Sequence, residues 1–299
     1  MPLDPEKLLR FPIPTVRQKV TPRDAAFYAL SIGMGQDPVD GDELAFVDPI
    51  AGPTPVPSMV LVLAHPGFWL GHPDSGVDPV AVLHGSQAFE ITGAIPVNGQ
   101  VESRTKICSL VDKGVGKPAL IQTETDLFDA SGHRFARLER TTFIRSGGGF
   151  GGSDSAAKNA PPPPPDGEPD LVVDLRTRPE QALYYRLNGD LNPLHSDPIM
   201  AAKSGFTQPI LHGLCTMAVV GHALFRAKCS YRPERLNSMG LRFTSPVLPG
   251  ETIRTEIWNS GAFRARVVER DIVVADQGWC TYQITTVETG NSQEQARME

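Results

Sequence analysis

The amino-acid sequence predicts an α+β protein of two similar halves, each an antiparallel sheet wrapped around a helix. Two observations carry this prediction. In each half, a helical segment precedes several short stretches in which apolar and polar residues alternate, as they do in half-buried strands. Between the halves lies a segment so rich in glycine and proline that it cannot build a packed core.

The boundaries of the halves follow from this segment. Residues 147–152 include five glycines, and residues 161–165 are five consecutive prolines. Glycine makes the chain flexible, whereas a proline run is a stiff, extended spacer. We therefore divide the chain into an N-terminal half (1–150), a linker (151–170) and a C-terminal half (171–299).

In the N-terminal half, the first helix is predicted to begin at Pro22. Thr21 and Asp24 are suitably spaced to cap it reciprocally, and proline is favoured at the first helical position. The apolar stretch Pro57–Leu70 predicts a second helix, which Pro66 interrupts. Alternation then predicts four strands, at Ser86–Ile91, Val101–Val111, Ala119–Phe128 and Phe135–Ile144.

In the C-terminal half, Pro179–Leu187 predicts a short helix. The segment Cys215–Ala227 is apolar on most faces of a helix, which indicates a buried helix. Alternating segments follow it and predict four more strands, at Ser238–Thr244, Thr252–Trp258, Ala262–Glu269 and Ile272–Thr285.

The composition excludes several classes of partner. A formal net charge of −6 argues against general affinity for nucleic acids, so no nucleic-acid partner is expected. No run of residues is long and apolar enough to span a bilayer, and no membrane partner is expected. Residues 1–14 lack the apolar core of a signal peptide, and the last residues are not a peroxisomal address. The cytoplasm is therefore the expected location.

The cysteines and histidines show no metal-binding pattern. Four cysteines lie far apart in apolar sequence, which predicts buried, reduced thiols: Cys108, Cys215, Cys229 and Cys280. The seven histidines also lack the spacing of metal ligands, so no metal ion is expected.

The glycines at 147–152 satisfy the GxGxxG pattern of dinucleotide-binding proteins and follow the strand-like segment Thr141–Arg145. That mechanism requires a helix to begin at the third glycine, so that its N-terminus meets the pyrophosphate. Polar and then proline-rich sequence follows instead. We therefore predict that these glycines belong to the linker and do not bind a nucleotide.

The segment Asn188–Pro198 is the strongest candidate for chemistry. It holds Asp190 and His195 in a stretch rich in turn-forming residues, which favours a bent backbone that aims both side chains at one small volume. A carboxylate and an imidazole placed in this way are suited to acid–base catalysis on a water molecule. A solvated loop with a capping aspartate is the alternative. Asn192 has two open roles, orienting His195 or the water, and forming the turn.

A second candidate follows at Gly213, just before the buried helix predicted at Cys215–Ala227. Glycine allows a ligand to approach the backbone closely, and the N–H groups at a helix N-terminus are unpaired and lie at the positive end of the helix dipole. The Gly213 N–H is therefore our candidate donor to a developing oxyanion. A glycine that only permits close packing is the alternative.

Together these segments closely resemble the signature of the type 2 enoyl-CoA hydratases, which are MaoC-like hot-dog enzymes. The resemblance covers roughly residues 10–285 and includes further landmarks, in the family's order, at Ala25–Gly33, Leu83–Gln87, Val111–Gly116 and Gly147–Gly152. One departure is Ser86, where family members usually carry an acidic residue.

The resemblance implies a double hot-dog fold and the reversible hydration of trans-2-enoyl-CoA to (3R)-3-hydroxyacyl-CoA. It assigns catalytic roles to Asp190, His195, Asn192 and Gly213. It implies a homodimer, an acyl-CoA substrate and no separate cofactor, since CoA is part of the substrate. Two alternatives stay open: a hot-dog acyl-CoA thioesterase and a non-catalytic acyl-CoA-binding protein.

The resemblance also implies substrate-binding roles for His84, Gly85, Lys113 and Phe243. Lys113 lies beside glycine, where its ammonium can reach a phosphate or a CoA carbonyl, although it is also an ordinary turn lysine. Phe243 can pack on the CoA moiety, although a phenylalanine in a strand is more often part of the core. Since the N-terminal half has no counterpart of Asp190 and His195, we expect it to have lost the chemistry and gained room for a bulky acyl group.

Overall fold

A computed structural model describes residues 2–50, 52–151 and 162–283 of the chain. Within this part, ten strands form a single antiparallel sheet. The strands are β1 (Val16–Val20), β2 (Val82–Ile91), β3 (Gly99–Asp112), β4 (Ala119–Phe128), β5 (Arg134–Ile144), β6 (Leu171–Arg176), β7 (Leu236–Phe243), β8 (Thr252–Ile257), β9 (Ala262–Val267) and β10 (Ile272–Tyr282).

The α-helices of the described chain differ greatly in length. They are α1 (Pro5–Leu9), α2 (Pro22–Ser31), α3 (Gly41–Val47), α4 (Gln181–Tyr185), α5 (Pro198–Lys203) and α6 (Gly213–Cys229). Short 3-10 turns lie between them, among them Pro57–Leu61, Trp69–Gly71, Arg186–Asn188 and Pro193–His195.

The order of the strands repeats between the two halves. Along the sheet it is β1-β3-β4-β5-β2-β7-β10-β9-β8-β6. The five strands of the N-terminal half therefore have the same order as those of the C-terminal half, read from opposite edges towards the centre. The halves meet at β2 and β7, which pair antiparallel from Ser86 with Arg242 to Glu90 with Ser238. The predicted α+β class and double hot-dog arrangement are confirmed.

The helix α6 forms the centre of the C-terminal half, as predicted. It packs against β6, β7 and β8. Its apolar residues lie on most faces and are fully buried, including Met217, Val220, Leu224 and Phe225. Burying a leucine or valine side chain contributes about 1.5–3 kcal/mol, so this helix is a main source of stability. It extends two residues beyond the predicted segment at each end.

The predicted second helix of the N-terminal half is wrong. Pro57–Leu61 is a single 3-10 turn, and Trp69–Gly71 is another. All of Pro57–Leu61 is nevertheless buried, against α6 among other elements. Pro57 and Pro66 each remove a backbone donor and restrict their neighbours, which prevents a regular helix between them. A short buried apolar run therefore replaces a central helix in this half.

The beginning of α2 agrees with the sequence prediction. The Thr21 hydroxyl accepts a hydrogen bond from the Asp24 N–H at 3.3 Å, and the Thr21 N–H donates to the Asp24 carboxylate at 2.9 Å. Pro22 is the first helical residue. Such a cap typically stabilises a protein by about 1 kcal/mol.

The alternation of apolar residues predicted eight strands, and all eight are present with ends shifted by a few residues. The predicted end of the last strand, Thr285, lies outside the described residues. Two strands, β1 and β6, were not predicted. They are the edges of the sheet, where a short strand pairs on one side only and needs little apolar sequence.

The glycines at 147–152 hold an internal carboxylate. The N–H groups of Gly149 and Gly151 each donate to the Asp112 side chain at 2.7 Å, and the Gly114 N–H donates to it at 2.8 Å. These donors are therefore satisfied from within the chain. The division into two halves and a linker stays a prediction, and residues 152–161 of that linker lie outside the described residues.

The prediction of buried thiols is correct for Cys215, Cys229 and Cys280 and wrong for Cys108. Cys108 lies on β3 and is exposed, and all four are free thiols. Apolar residues lie close to it in sequence at Ile107 and Leu110, but an alternating strand places every second residue on the solvent face. In the part of the chain that the structure describes, no helix has the length and hydropathy needed to cross a membrane.

Candidate active site

The bend that carries Asp190 and His195 is built by short-range hydrogen bonds. Gly189 has a φ of +122°, which a residue with a side chain adopts only under strain. The Asp190 carboxylate accepts a bond from the Asn192 N–H at 3.2 Å. The side chain of Asn192 then caps the turn Pro193–His195 by accepting from the Leu194 N–H at 3.1 Å.

His195 is held by a backbone carbonyl. Its Nδ1 lies 2.9 Å from the Ile210 oxygen, and the ring is buried. Since a carbonyl only accepts, Nδ1 carries the proton, and Nε2 is left as an acceptor. The sequence left two roles open for Asn192, orienting this ring or the water, and forming the turn. Its side-chain oxygen accepts a hydrogen bond within the turn, which is the contact expected for the turn-forming role.

His212 completes the arrangement. Its ring stacks on the His195 ring with centroids 3.7 Å apart, and its Nε2 donates to the Asp190 backbone oxygen at 3.2 Å. His212 thereby ties the bend to the first turn of α6. One side-chain oxygen of Asp190 and one ring nitrogen each of His195 and His212 lie within 4.8 Å of one another. The predicted convergence of a carboxylate and an imidazole is thus present in the structure.

The electrostatics favour an ionised carboxylate beside a neutral imidazole. Burial alone would raise the pKa of Asp190, but the rings of His212 and His195 and the Asn192 N–H outweigh it and lower the pKa. For His195, burial lowers the pKa below its usual value, against the opposite effects of the Ile210 carbonyl and Asp190. Both groups are therefore in their proton-accepting forms near neutral pH.

The same three side chains contain the donor atoms of a metal site, but their arrangement does not suit one. An imidazole binds a metal through a lone pair in the plane of its ring. The rings of His195 and His212 are stacked with only 27° between their planes, so their lone pairs do not converge on one ion. Nδ1 of His195 and Nε2 of His212 are also occupied by backbone carbonyls.

Gly213 is the first residue of α6, directly after His212. Among the described residues, no side chain caps this helix end. A Cβ added at Gly213 would lie 3.5 Å from the ring of Phe243. Glycine therefore leaves the space between the helix end and this ring open to a ligand. Unpaired N–H groups at the positive end of a seventeen-residue helix are suited to binding an oxyanion next to Asp190 and His195.

Pairing of the two halves brings His84 and Gly85 close to the helix end at Gly213. Both lie near the beginning of β2, and the His84 ring is 4.7 Å from the ring of Phe243 at the end of β7. A Cβ at Gly85 would lie 2.6 Å from the Phe143 ring, so packing alone requires glycine at this β-bulge. The structure thus gathers His84, Gly85 and Phe243 beside Gly213.

Lys113 lies further away along the same end of the sheet. It follows Asp112, the last residue of β3, and its N–H donates to the Pro118 oxygen at 3.3 Å. Strands β5 and β4 separate β3 from β2, and three strand spacings correspond to about 14 Å. This position does not contact the Asp190–His195 pair, but an extended ligand can reach both.

Two residues near the site were not recognised from the sequence, His65 and Arg140. Both line a cavity of about 50 Å³, partly open to solvent, which also contacts Leu214 in the first turn of α6. Burial lowers the pKa of His65 to about 4. The available signal was Arg140 itself, which interrupts the alternation of inward-facing apolar residues at Ala136 and Leu138.

The fold and the site together define a double hot-dog protein with a carboxylate and an imidazole side by side at the N-terminus of its central helix. A solved protein from Mycobacterium tuberculosis, described as a double hot-dog fold, has the same architecture: it is 17% identical, with a TM-score of 0.57, over 91% of this chain and 94% of that one. The crystal structure of a MaoC-like dehydratase from Phytophthora capsici is more similar, with 34% identity and a TM-score of 0.81 over 95% and 99% of the two chains.

Sequence comparisons name the family. Residues 19–146 match the MFE-2 hydratase 2 N-terminal domain, and residues 159–278 match the MaoC like domain. The chain is 37% identical over 285 residues to the peroxisomal enoyl-CoA hydratase 2 of Arabidopsis thaliana. The matched region covers 89% of this chain and 92% of that protein. The chain belongs to the MaoC-like dehydratase family. It is accordingly an enzyme of the hydro-lyase class.

Proposed function

We propose that this enzyme catalyses the reversible hydration of a trans-2-enoyl-CoA to a (3R)-3-hydroxyacyl-CoA, with a water molecule held between Asp190 and His195. The observation that carries the proposal is the convergence of these two side chains within 4.8 Å at the N-terminus of α6. The similarity to an enoyl-CoA hydratase over most of the chain supports the same reaction class.

The chemistry follows from the protonation states of the pair. Nε2 of His195 and the Asp190 carboxylate both accept hydrogen bonds, so one water molecule can donate to each of them. The water oxygen adds to the β-carbon while the pair takes one of its protons. The pair then returns a proton to the α-carbon, so the elements of water are added without net proton uptake. Acid–base groups of this kind each contribute about 10²–10⁴-fold to a rate.

The stereochemistry follows from using one pair for both steps. Because the hydroxyl group and the proton come from the same side of the substrate, both add to one face of the double bond. The (3R) configuration is the one that the family resemblance implies. In the reverse direction the same geometry removes the hydroxyl group and the α-proton from one face.

The enolate-like transition state needs a donor for the thioester oxygen. We assign this role to the Gly213 N–H at the positive end of α6. Removing such a donor typically costs about 3–4 kcal/mol in the transition state. Since the thioester already polarises the double bond, the proposed reaction needs no redox cofactor and no metal ion.

The remaining predicted residues are proposed to bind the CoA moiety. Phe243 and His84 border the reaction centre and are placed to contact the pantetheine arm. Lys113, about 14 Å away across the sheet, is placed to meet a phosphate of CoA. The acyl group is proposed to enter the cavity lined by His65 and Leu214.

The test is to incubate the purified protein with crotonyl-CoA. We expect loss of the enoyl absorbance without release of free thiol, and chiral analysis should give the (3R) product. Release of free thiol would instead identify a thioesterase. Binding of acyl-CoA, measured as a rise in Tm, without any turnover would identify a non-catalytic binding protein.

We further propose that the enzyme is a cytoplasmic homodimer. Among the described residues, no strand pairs with the outer side of the edge strand β6, which exposes Leu171 and Val172 and so suits pairing with a second copy. Light scattering in solution should give twice the mass of the chain, and a monomer mass would contradict the dimer. The Arabidopsis relative is named as peroxisomal, so microscopy of the tagged enzyme should decide the location.

A further inference from the structure

The inner face of the N-terminal sheet carries a polar strip that the proposed reaction does not explain. Arg140 on β5 pairs directly with Gln87 on β2 and with Thr123 on β4, so the three side chains stand in one row. In the next row, the hydroxyl groups of Thr125 and Thr105 lie 2.8 Å apart. These positions face the interior of a hot-dog half, where apolar side chains usually pack.

The half-buried guanidinium of Arg140 has one nitrogen without a hydrogen-bond partner among the described residues. This nitrogen, Nε, is itself buried. No acidic side chain in the described chain forms an ion pair with Arg140. Arg137, three residues earlier on the opposite face of β5, is paired with Asp126 at 2.9 Å. An arginine that stays unpaired inside a protein is costly unless a ligand supplies the partner.

The surroundings of Arg140 place it in the path of an acyl group. Arg140 lines the cavity of about 50 Å³ together with Gln87, Thr123 and His65, and Leu214 also contributes to this cavity. Leu214 follows Gly213, the proposed donor to the thioester oxygen. Asp190 acts electrostatically on both Arg140 and His65, which sets these groups near the reaction centre. An acyl chain extending from the thioester into the cavity therefore meets a cation.

We propose that Arg140 binds a carboxylate carried by the acyl group, so that the substrates are CoA monothioesters of α,β-unsaturated dicarboxylic acids. A carboxylate accepts two parallel hydrogen bonds from a guanidinium and cancels its charge. The hydroxyl groups of Thr123 and Thr125 supply further donors beside it. A plain alkyl chain would leave the guanidinium without a partner. This inference rests on the proposed hydratase function and names its substrate class.

The experiment compares dicarboxylic enoyl-CoA thioesters with alkyl enoyl-CoAs of the same carbon number, across a series of chain lengths. For at least one length, we expect wild-type kcat/KM to be about tenfold or more higher for the dicarboxylic member, since a site built for a polar group discriminates strongly against its absence. Hydration of alkyl substrates with no such preference at any length would overturn the inference and leave the proposed function intact. Hydration of neither class would overturn both.

Substitutions at Arg140 test whether this residue causes the preference for dicarboxylic substrates. Arg140→Gln should lower kcat/KM for the preferred dicarboxylic substrate about 100-fold and change the alkyl value by less than about threefold. Arg145→Gln, an exposed position on the same segment, is the matched control and should change neither value. Arg140→Lys keeps the charge without the paired donors and should retain part of the preference. Equal losses for both substrate classes in Arg140→Gln would contradict the assignment.

Discussion

The two halves have the same strand order but differ in what packs against the inner face of the sheet. In the C-terminal half, the seventeen-residue helix α6 packs against inner strand positions that are mostly apolar, among them Ile253, Ala265 and Val274. In the N-terminal half, a 3-10 turn and an irregular segment take the place of that helix, and the inner face carries Arg140 and Thr123.

This difference separates two tasks that one half could not perform together. A helix N-terminus needs a well-packed helix behind it to hold its N–H groups in place, and α6 supplies that in the C-terminal half. Packing of this kind leaves no room for a substrate. Loss of the helix from the N-terminal half leaves a cavity beside the reaction centre, and the sheet pairing of β2 with β7 joins the two.

The largest effect should come from replacing either member of the proposed catalytic pair, Asp190 and His195. Asp190→Asn and His195→Gln should each lower kcat/KM for hydration by about 10³-fold or more, because both groups are needed to handle one water molecule. The Tm should change little, since neither substitution alters the size of the side chain greatly. His84→Gln, in the N-terminal half, is the contrasting variant and should act mainly on KM. Hydration at nearly the wild-type rate in either C-terminal variant would remove that residue from the mechanism.

Truncating one leucine in each half should show whether the two halves are packed to different degrees. Leu224 lies at the centre of α6, fully buried, whereas Leu63 lines the cavity of the N-terminal half. Leu224→Ala should destabilise the protein by about 3–5 kcal/mol and Leu63→Ala by about 2 kcal/mol, because a new cavity costs more where packing was complete. Urea unfolding measures both free energies. Equal losses would mean that the N-terminal half is packed as well as the C-terminal half.

A buried hydrogen-bond network joins the two halves. Glu43 on α3 accepts hydrogen bonds at 2.9 Å from His222 on α6 and from Tyr231. Burial opposes ionisation of Glu43, but its bonds with His222, the Gly35 N–H and Tyr231 lower its pKa to about 2. Since the folded pKa is below the unfolded value, this stabilisation is present above about pH 4.5 and is lost as the pH falls towards 2.

Glu43→Gln tests that network. The variant should lose about 1–3 kcal/mol at neutral pH, because a buried hydrogen-bonded charge is removed from a site built for it. The Tm of the wild type should fall towards that of the variant as the pH is lowered below 4.5. Parallel pH profiles of Tm for the two proteins would exclude Glu43 as the titrating group. Glu139→Gln, on an exposed position of β5, is the control.

The smallest effect should be a shift in a pH profile. The proposed mechanism needs neutral His195, whose pKa is held below 6.5 chiefly by burial, so kcat/KM should fall tenfold per pH unit on the acid side of that pKa. The charge of Arg186 also lowers this pKa. Arg186→Gln should therefore move the acid limb to higher pH without abolishing activity. An acid limb that stays in place would assign it to another group.

Local patterns were sufficient for most of the strands and for the principal helix. The strands β2 to β5 were predicted because alternation has a period of two residues and is read within one segment. The stretch Pro57–Leu70 was misread because a buried irregular segment and a buried helix are both continuously apolar. The edge strand β1 was missed because it is short and carries charged residues.

The candidate site was predictable to a different degree in each half. Asp190 and His195 belong to one bend, so their spacing and their turn-forming neighbours indicated a shared site. His84 and Phe243 came only from the family resemblance, since no local pattern links residues so far apart in the chain. Arg140 was not recognised, because an arginine in an alternating strand is normally on the solvent face.

The sequence by itself determined the elements that depend on near neighbours: the capped start of α2, the bend at Gly189 and Asn192, and the long apolar helix behind Gly213. Only the tertiary structure decided which nitrogen of His195 carries the proton, that His212 stacks on it, and that Arg140 faces inward with its Nε unbonded within the described part of the chain. Burial and charge depend on every group packed nearby, and those groups come from both halves of the chain.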